Sequence, residues 1–448
     1  MNPKVGRRLL GPLVGLALAA ASVAIAADDP PLSPAPANPA SASPGLAGSD
    51  ALAPFFDALA DVKAGRRTTP VQILQLGDSH TAADLIASSI RARLQARFGE
   101  AGRGVMPAGV PFVGYGPRQV DVTQSDGWRK DASFPFPGGA FGLSGWRLTS
   151  TQTGASVAMT ADPEARFDRA VICAMAGPGA GSIKVEAGEA HELVALGAET
   201  PAPICRTLKF ASPQTRLKMS TDGGPVTLLS FGTFRSRPGI ILSNLGVIGT
   251  QLSDFAERDD AIVAAELDAY SPDLIVMAFG TNEGFAPNLD MAAYEALVHQ
   301  QIRRLKRLAP HASILLMGPP DGSMVRPDIP EDGIHNLNFA CAPLSPQETA
   351  NYAQLVADKS PSLARWYEPP TLSMVREAQR RAAAAEGAAF WDWSARMGGA
   401  CSSHRLSRPE VKLMRGDHIH FTSDGGELIG GLLTDDLMSA YAAGKRGS

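Results

Sequence analysis

The stretch VQILQLGDSHTAADL, Val71 to Leu85, places a serine at a corner between two regular elements. The run VQILQL is short, apolar and followed by Gly77, which is typical of a central strand in a parallel sheet. The residues after the serine show an apolar repeat of four, typical of an amphipathic helix: Ile86, Ile90, Leu94 and Phe98. Gly99 is placed to end that helix. The sequence therefore predicts strand, tight turn and helix, with Ser79 in the turn.

The same alternation of strands and helices returns in the second half of the chain. Apolar runs predict strands at PDLIVMAFG (272–280), ASILLMGPP (312–320) and AAFWDW (388–393), and helical periods lie between and after them. Alternating strands and helices are typical of an α/β fold with helices on both faces of a parallel sheet. We predict such a three-layer domain from residues 51–103 and 240–448.

Between residues 104 and 239 the pattern changes to short apolar runs separated by glycine-rich turns, with no helical period. Within it, TRLKMSTDGGPVTLLSFG (215–232) predicts a hairpin that turns at Asp222 and the two glycines after it. We predict an all-β sandwich domain inserted after the first helix of the α/β domain. Its Trp128 and Trp146 have two interpretations, as core residues or as platforms for sugar rings.

The N-terminal residues are interpreted as processing and linker segments. Lys4, Arg7 and Arg8 precede an apolar run that ends in the small-residue pattern of a signal peptide cleavage site, so residues 1–27 predict a secretory signal, with an uncleaved membrane anchor as the alternative. Residues 28–50 are rich in Pro, Ala and Ser, and we predict a disordered linker there. Loss of the signal changes the net charge from −4 to about −7, which disfavours binding to nucleic acid.

Four cysteines remain in a chain that we expect to be exported, so they are candidate disulfide partners: Cys173, Cys205, Cys341 and Cys401. Four cysteines allow three pairings. We prefer the pairing within each half of the sequence, first with second and third with fourth. Their spacing does not match a zinc motif.

Three further stretches carry polar residues beside predicted elements: SNLGVIGTQL (243–252), AFGTNEG (278–284) and RGDHIHFTSDGG (415–426). Because sites in open α/β sheets gather at the carboxyl ends of the strands, the loops after Leu76 and Phe279 should meet at one edge. A serine hydrolase needs a nucleophile, a base, a group that orients the base, and donors for an oxyanion, and the four stretches contain all of these. The alternative is that Asp78 or Ser79 only caps the helix.

Taken together, GDSHT, GVIGTQ, FGTNE and DHIHFT resemble, in order, the four blocks of the SGNH, or GDSL-like, hydrolase family. The resemblance implies a flavodoxin-like fold in which Ser79 is the nucleophile, His420 the general base and Asp417 its orienting carboxylate. It also implies an oxyanion hole formed by the backbone NH of Ser79, the backbone NH of Gly249 and the side-chain amide of Asn282. No metal or cofactor is implied.

His80 and Glu283 stand where many members of that family carry leucine and aspartate, and here the chain resembles bacterial peptidoglycan O-acetylesterases, which also carry an inserted β domain. The resemblance implies a periplasmic or otherwise exported esterase acting on an acetylated glycan, above all O-acetylated peptidoglycan. The alternatives are an O-acetyltransferase, a deacetylase of another exported polysaccharide, and a catalytically idle glycan-binding protein. We expect no membrane span after signal cleavage, and the sequence gives no oligomeric state.

Two other interpretations concern the histidines near the C-terminus. His418 and His420 alternate as two metal ligands on a strand would, but no carboxylate cluster completes the set. His418 is also an alternative to His420 as the base, because spacing alone does not distinguish them.

Overall fold

A computed structural model of the chain describes residues 45–135, 139–325 and 340–444. The predicted signal peptide and residues 28–44 of the predicted linker lie outside the described residues. So does the first part of the long connection from Pro327 to Pro361, for which the sequence suggests a lid or a surface loop.

The strands, numbered along the chain, are β1 Leu46–Ala47, β2 Val71–Gly77, β3 Gly104–Pro107, β4 Val120–Gln124, β5 Arg129–Ala132, β6 Trp146–Ser150, β7 Ser156–Ala161, β8 Phe167–Ala176, β9 Ser182–Ala187, β10 Ala190–Ala195, β11 Ala202–Gln214, β12 Arg216–Asp222, β13 Val226–Phe234, β14 Ile240–Gly246, β15 Leu274–Ala278, β16 Ser313–Met317 and β17 Ala389–Trp391. The α-helices are α1 Ala53–Lys63, α2 Ser79–Ala82, α3 Leu85–Phe98, α4 Leu252–Ala256, α5 Asp260–Tyr270, α6 Thr281–Gly284, α7 Met291–Leu308, α8 Pro346–Ala350, α9 Tyr352–Ala357, α10 Pro370–Ala385, α11 Trp393–Met397, α12 Ser402–Leu406 and α13 Ser423–Gly444. Short 3₁₀ turns occur at Ser49–Leu52, Pro163–Ala165 and Pro361–Leu363.

A six-stranded sheet in the order β1-β17-β16-β15-β2-β14 forms the centre of the α/β part. The five strands from β17 to β14 are parallel, whereas β1 pairs with β17 in the antiparallel direction. This edge strand corrects the prediction that the linker extends to residue 50. Leu46 is buried in the core and Ala47 pairs with Phe390, so the apolar side chain and the free edge of β17 order residues that composition alone marks as linker.

Helices cover both faces of this sheet, as predicted. Because successive side chains of a strand point to opposite faces, Val71 and Ile73 join the core under α1, α3 and α13, whereas Leu74 and Leu76 join the core under α4, α5, α7 and α10. The central position of β2, between β14 and β15, brings the turn after Gly77 to the middle of the carboxyl edge.

Residues between β3 and β13 form two antiparallel sheets that pack on each other. One has the order β10-β9-β12-β7-β4, and the other has the order β11-β8-β13-β6-β5 with β3 added to β13. Their inward side chains form a separate apolar core that includes Val157, Phe167 and Phe231. The fold is therefore a three-layer α/β domain with an inserted β-sandwich, as the sequence predicted. Trp128 packs against the sandwich core.

The predicted hairpin at residues 215–232 is wrong. Its two halves are β12 and β13, but β12 pairs with β7 and β9 whereas β13 pairs with β3, β6 and β8. The turn at Gly223 and Gly224, both with positive φ, carries the chain from one sheet to the other. Local sequence specifies the turn, whereas the sandwich specifies which strands become partners.

Both disulfides have the pairing preferred from the sequence. Cys173–Cys205 joins neighbouring strands β8 and β11 of the sandwich, and Cys341–Cys401 joins the long connection to the residue before α12. Disulfides of this kind are typical of proteins from oxidising compartments.

A buried charged cluster joins the start of the insert to the α/β domain. Asp84, in front of α3, accepts hydrogen bonds from the guanidinium groups of Arg91 at 2.9 Å and Arg103 at 3.0 Å, and from the backbone NH of Arg118 at 2.8 Å. Both guanidinium groups also donate to the side-chain oxygen of Asn244 on β14. The cluster therefore fixes the segment that contains Arg118 to the centre of the fold.

Candidate active site

The turn that carries Ser79 is shaped by close packing at the end of β2. A Cβ on Gly77 would lie 2.5 Å from the carbonyl oxygen of Ala278, so only glycine lets β2 and β15 approach in this way. Asp78 caps α2 by accepting from the backbone NH of His80 at 3.0 Å. Asp78 and His80 are buried, whereas Ser79 between them is partly exposed. The cap is thus Asp78, and the serine is left to face a pocket.

The side chains of Ser79, His420 and Asp417 form one connected chain of hydrogen bonds. Ser79 Oγ lies 2.9 Å from His420 Nε2, and His420 Nδ1 lies 2.8 Å from Asp417 Oδ2. A carboxylate oxygen only accepts, so Nδ1 carries the proton and Nε2 is free to accept from the serine hydroxyl. This is the connectivity of a nucleophile, a base and an orienting acid.

The carboxylate of Asp417 is held in its ionised form. Burial alone would raise its pKa, but the ring of His420 and the backbone NH groups of His420 and Ile419 donate to it, and together they hold the pKa below its usual range. A carboxylate that stays ionised keeps the proton of His420 on Nδ1 and stabilises the imidazolium formed when Nε2 accepts a proton.

A hydrogen bond links Asn282 to the loop that contains Gly249, the other residue predicted to form the oxyanion hole with Ser79. The Asn282 amide donates to the carbonyl oxygen of Thr250 at 2.8 Å, and its second NH remains for another acceptor. Gly249 has φ +79°, and a Cβ there would lie 2.8 Å from the ring of Phe134. The structure brings these residues to the carboxyl ends of β14 and β15. Their role as donors to an oxyanion, with the NH of Ser79, stays a prediction.

Glu283, next to Asn282, also contacts the end of the loop that contains Gly249. Its Oε1 accepts from the backbone NH of Leu252 at 2.7 Å, and its side chain is almost fully buried. Burial is the main reason that its pKa is raised to about 7, and the negative charge of Asp78 adds to the increase. Glu283 therefore ties α6 to α4 and holds the loop with Gly249 in place.

His80 connects the turn that contains Ser79 to the loop that contains His420. Its Nδ1 lies 3.3 Å from Asp78 Oδ1 and its Nε2 lies 2.9 Å from the carbonyl oxygen of Ile419. Burial alone would lower its pKa, but these two acceptors raise it above the ordinary histidine value. Both partners are acceptors, so a protonated ring satisfies both. His80 therefore connects the turn with Ser79 to Ile419, the residue before His420.

His418 occupies a different environment from His420. Its ring lies against Trp366, with centroids 3.7 Å apart, and against His404 at 5.1 Å. Burial and the neighbouring charge of His404 lower its pKa to about 4. His420, and not His418, is hydrogen-bonded to the serine. Among residues 45–135, 139–325 and 340–444, no cluster of three or more His, Cys, Asp or Glu side chains could hold a metal ion.

A pocket of about 630 Å³ opens over Ser79 and His420. Its wall includes Phe112, Val113 and Ile248, of which Val113 is fully exposed and Ile248 is 50% exposed. The same pocket is lined by residues that the sequence analysis did not select as site residues: Leu85, Ile86, Gly114, Gly116, Arg118, Arg415 and Phe421. A lone arginine or apolar residue in a loop gives no signal in one sequence, because only the fold shows which loops share a cavity.

Comparison with known proteins places this site in a family. Residues 232–428 match the GDSL-like Lipase/Acylhydrolase family model. The match includes Gly249, Asn282, Asp417 and His420, and it begins after the segment with Ser79, which the inserted sandwich separates from the rest of the domain. No curated protein sequence matches the chain.

Among solved structures, a peptidoglycan O-acetylesterase is 24% identical with a TM-score of 0.71, and the alignment covers 89% of this chain and 99% of that one. At this identity the similarity concerns the fold. A family two carbohydrate esterase from Cellvibrio japonicus is 14% identical with a TM-score of 0.20, covering 64% of this chain and 99% of its own. An acetyl xylan esterase is 14% identical with a TM-score of 0.28, covering 44% and 79%. Scores as low as the last two carry no argument.

The chain therefore carries a domain of the GDSL-like lipase/acylhydrolase family on an SGNH-hydrolase fold. Its enzyme class is that of the carboxylic ester hydrolases.

Proposed function

We propose that the protein is an exported serine esterase that removes O-acetyl groups from O-acetylated peptidoglycan through an acetyl-serine intermediate. The observation that carries the proposal is the chain of hydrogen bonds from Ser79 through His420 to Asp417, open to the pocket. The catalytic roles assigned to these residues are part of the proposal.

In the first half of the reaction, Ser79 Oγ attacks the acetyl carbonyl. A serine hydroxyl is a poor nucleophile at neutral pH, so His420 Nε2 removes its proton as the bond forms and then donates that proton to the departing sugar oxygen. The NH groups of Ser79, Gly249 and Asn282 would stabilise the negative oxygen of the tetrahedral intermediate. Each such donor contributes about 3 to 4 kcal/mol in other hydrolases.

In the second half, water attacks the acetyl-serine and His420 acts again as base. Water has access to the triad, because the side chain of His420 is 36% exposed and that of Asp417 is 44% exposed. A transferase would have to exclude water while it holds a sugar hydroxyl. The exposed triad therefore favours hydrolysis over transfer.

The proposed compartment and substrate have separate support. Two disulfides fit an oxidising compartment, and residues 1–27 have the pattern of a secretory signal. A solved structure with this fold over 89% of the chain is a peptidoglycan O-acetylesterase. Within the described parts of the chain, no helix is long and apolar enough to cross a membrane. We also propose residues 104–239 as the bounds of the inserted domain.

The experiment is acetate release from O-acetylated peptidoglycan, compared with acetylated xylan and cellulose acetate, by the mature protein and its Ser79→Ala variant. We expect release that is fastest on peptidoglycan and absent from Ser79→Ala. The matched control is Ser88→Ala, which removes a hydroxyl that, within the described parts of the chain, donates only to the carbonyl oxygen of Leu85 in its own helix.

Three results would contradict parts of the proposal. Ser79-dependent release from xylan or cellulose alone would keep the mechanism and change the substrate. Acetate release that persists in Ser79→Ala would contradict an acetyl-serine intermediate. Glycan binding without turnover by any variant would indicate a binding protein.

A further inference from the structure

The charges that line the pocket over Ser79 differ in sign from the charge of the whole chain. The protein has a net charge of −4, yet no Asp or Glu lines the described wall of this pocket. Two arginines do, Arg118 and Arg415, together with His80 and His420. A cavity lined by one sign of charge raises the local concentration of ligands of the opposite sign.

Both arginines have a fixed backbone and an exposed side chain. The backbone NH of Arg118 donates to the buried Asp84, and the backbone NH of Arg415 donates to the carbonyl oxygen of His420 at 2.7 Å. Among the residues that the structure describes, neither guanidinium forms an ion pair. The nearest acceptor of Arg118 is the hydroxyl of Ser423 at 3.4 Å. The carboxylate of Asp417 accepts a hydrogen bond from His420. The two guanidinium groups are therefore available to a ligand.

The rest of the wall is apolar, and much of it is exposed to solvent. Phe112 and Val113 come from the segment that begins the insert, and Ile248 comes from the loop after β14. An exposed apolar wall of this kind suits the apolar face of a sugar ring or of an acyl group. The pocket with Ser79 thus combines apolar contact area with two guanidinium groups that have no ion-pair partner among the described residues.

We infer that Arg118 and Arg415 bind a carboxylate of the substrate, so that the enzyme selects acetyl esters of acidic sugars over those of neutral sugars. Guanidinium groups recognise carboxylates through paired, charge-assisted hydrogen bonds. A muramic acid residue without a peptide stem carries a free carboxylate on its lactyl group, on the same sugar as its acetyl ester, whereas a stem converts that group to a neutral amide and xylan and cellulose backbones carry no carboxylate. This inference rests on the proposed esterase function and adds the substrate class and the residues that select it.

The test uses 6-O-acetyl-N-acetylmuramic acid and its methyl ester, which replaces the carboxylate by a neutral group one methyl larger. The quantity measured is the ratio of their kcat/KM values for acetate release. We expect the full-length protein to prefer the acid. Arg118→Gln and Arg415→Gln should each lower this ratio by about tenfold, since each removes a hydrogen bond to a charged group. Arg216→Gln on β12 is exposed and away from the pocket, so it removes the same charge and should leave the ratio unchanged.

A second measurement on the unaltered protein does not depend on the variants folding. Raising the ionic strength from about 0.01 M to about 0.15 M shortens the screening length from about 30 Å to about 8 Å, so the preference for the acid should fall with salt. A ratio near one, or a ratio that neither arginine variant lowers, would overturn the inference.

Failure of the inference is distinguishable from failure of the proposed function. If neither ester is hydrolysed, the esterase proposal fails. The carboxylate site is then tested by titrating the Ser79→Ala variant with N-acetylmuramic acid and with its methyl ester, followed by NMR. Tighter binding of the acid, lost in Arg415→Gln, would support the site without any turnover, whereas equal binding of acid and ester would refute it.

Discussion

The substitution Asp84→Asn tests what holds the pocket wall to the fold. Asp84 is only 2% exposed and is the anion shared by the guanidinium groups of Arg91 and Arg103. Its Oδ2 also accepts from the backbone NH of Arg118. Asparagine has the same shape but no charge, and its NH₂ group cannot accept. The variant would leave two buried cations whose acceptors in the described parts of the chain are all neutral, namely the amide oxygens of residue 84 and Asn244 and the backbone carbonyl oxygens of Leu242 and Arg118.

The expected decrease in the free energy of unfolding follows from the burial of this cluster. Removing one partner of a buried ion pair costs about 3 to 5 kcal/mol, because it leaves an uncompensated charge in a medium of low polarity. Among the described residues, Arg91 Nη1 and Arg103 Nη1 have no hydrogen-bond partner and Asp84 is the carboxylate that pairs with both guanidinium groups, so no second anion replaces it. We expect the free energy of unfolding to fall by about 3 to 5 kcal/mol.

The assay is urea unfolding at pH 7 followed by circular dichroism, with Asp61→Asn as the matched control. Asp61 pairs with Arg66, and these side chains are 43% and 63% exposed, so its loss should cost about 1 kcal/mol at most. A loss in Asp84→Asn no larger than in the control would refute the reasoning.

The pH dependence gives a second check on the same residue. Burial alone would raise the pKa of Asp84, but the two guanidinium groups lower it below its ordinary value. A lowered pKa stabilises the fold fully above the unfolded value of about 3.9, and that stabilisation is lost as the pH falls through the folded value. The difference between the protein and Asp84→Asn should therefore stay constant from pH 7 to about pH 5 and shrink below about pH 4.

The other predictions concern the site. Asn282→Ala should lower kcat about a hundredfold or more while KM changes little, and an unchanged kcat would remove it from the oxyanion hole. Asp417→Asn should lower kcat by about 10³- to 10⁴-fold through the wrong tautomer of His420, and near-normal turnover would contradict that role. His420→Ala should abolish acetate release whereas His418→Ala retains it, and the reverse result would exchange the two assignments. Because the pKa of His80 is raised, its contribution to stability is present below about pH 6.5 and is lost as the pH rises through the folded value, so His80→Ala should lower Tm more at pH 5.5 than at pH 8.5.

Much of the α/β architecture could be predicted because the local signals agree with the fold. The repeat from Ile86 to Phe98 became α3, ended by Gly99, and the runs at 272–280 and 312–320 became neighbouring parallel strands. These signals depend on which side chains must be buried, and periodicity records that directly. Strand partners do not leave such a record. The hairpin predicted at residues 215–232 failed for this reason, since both of its strands found partners far away in the sequence.

The C-terminal end of the predicted linker also depends on tertiary contacts that sequence composition does not show. Its composition predicts disorder up to residue 50, but Leu46 finds a buried place beside β17 that only the folded sheet provides. One apolar side chain and one free strand edge were enough to order the last residues of that segment.

For the site, the sequence by itself determined the chemical groups and their order along the chain, because a serine in a tight turn, an Asn after a strand and an Asp-x-x-His motif are short-range patterns. Tertiary structure alone decided that His420 and not His418 faces the serine, because the choice depends on how the loop packs between His80 and Trp366. It also decided that Arg118 and Arg415, almost 300 residues apart, line one cavity. Charge and shape in a pocket depend on distances through space, and a linear pattern does not contain those distances.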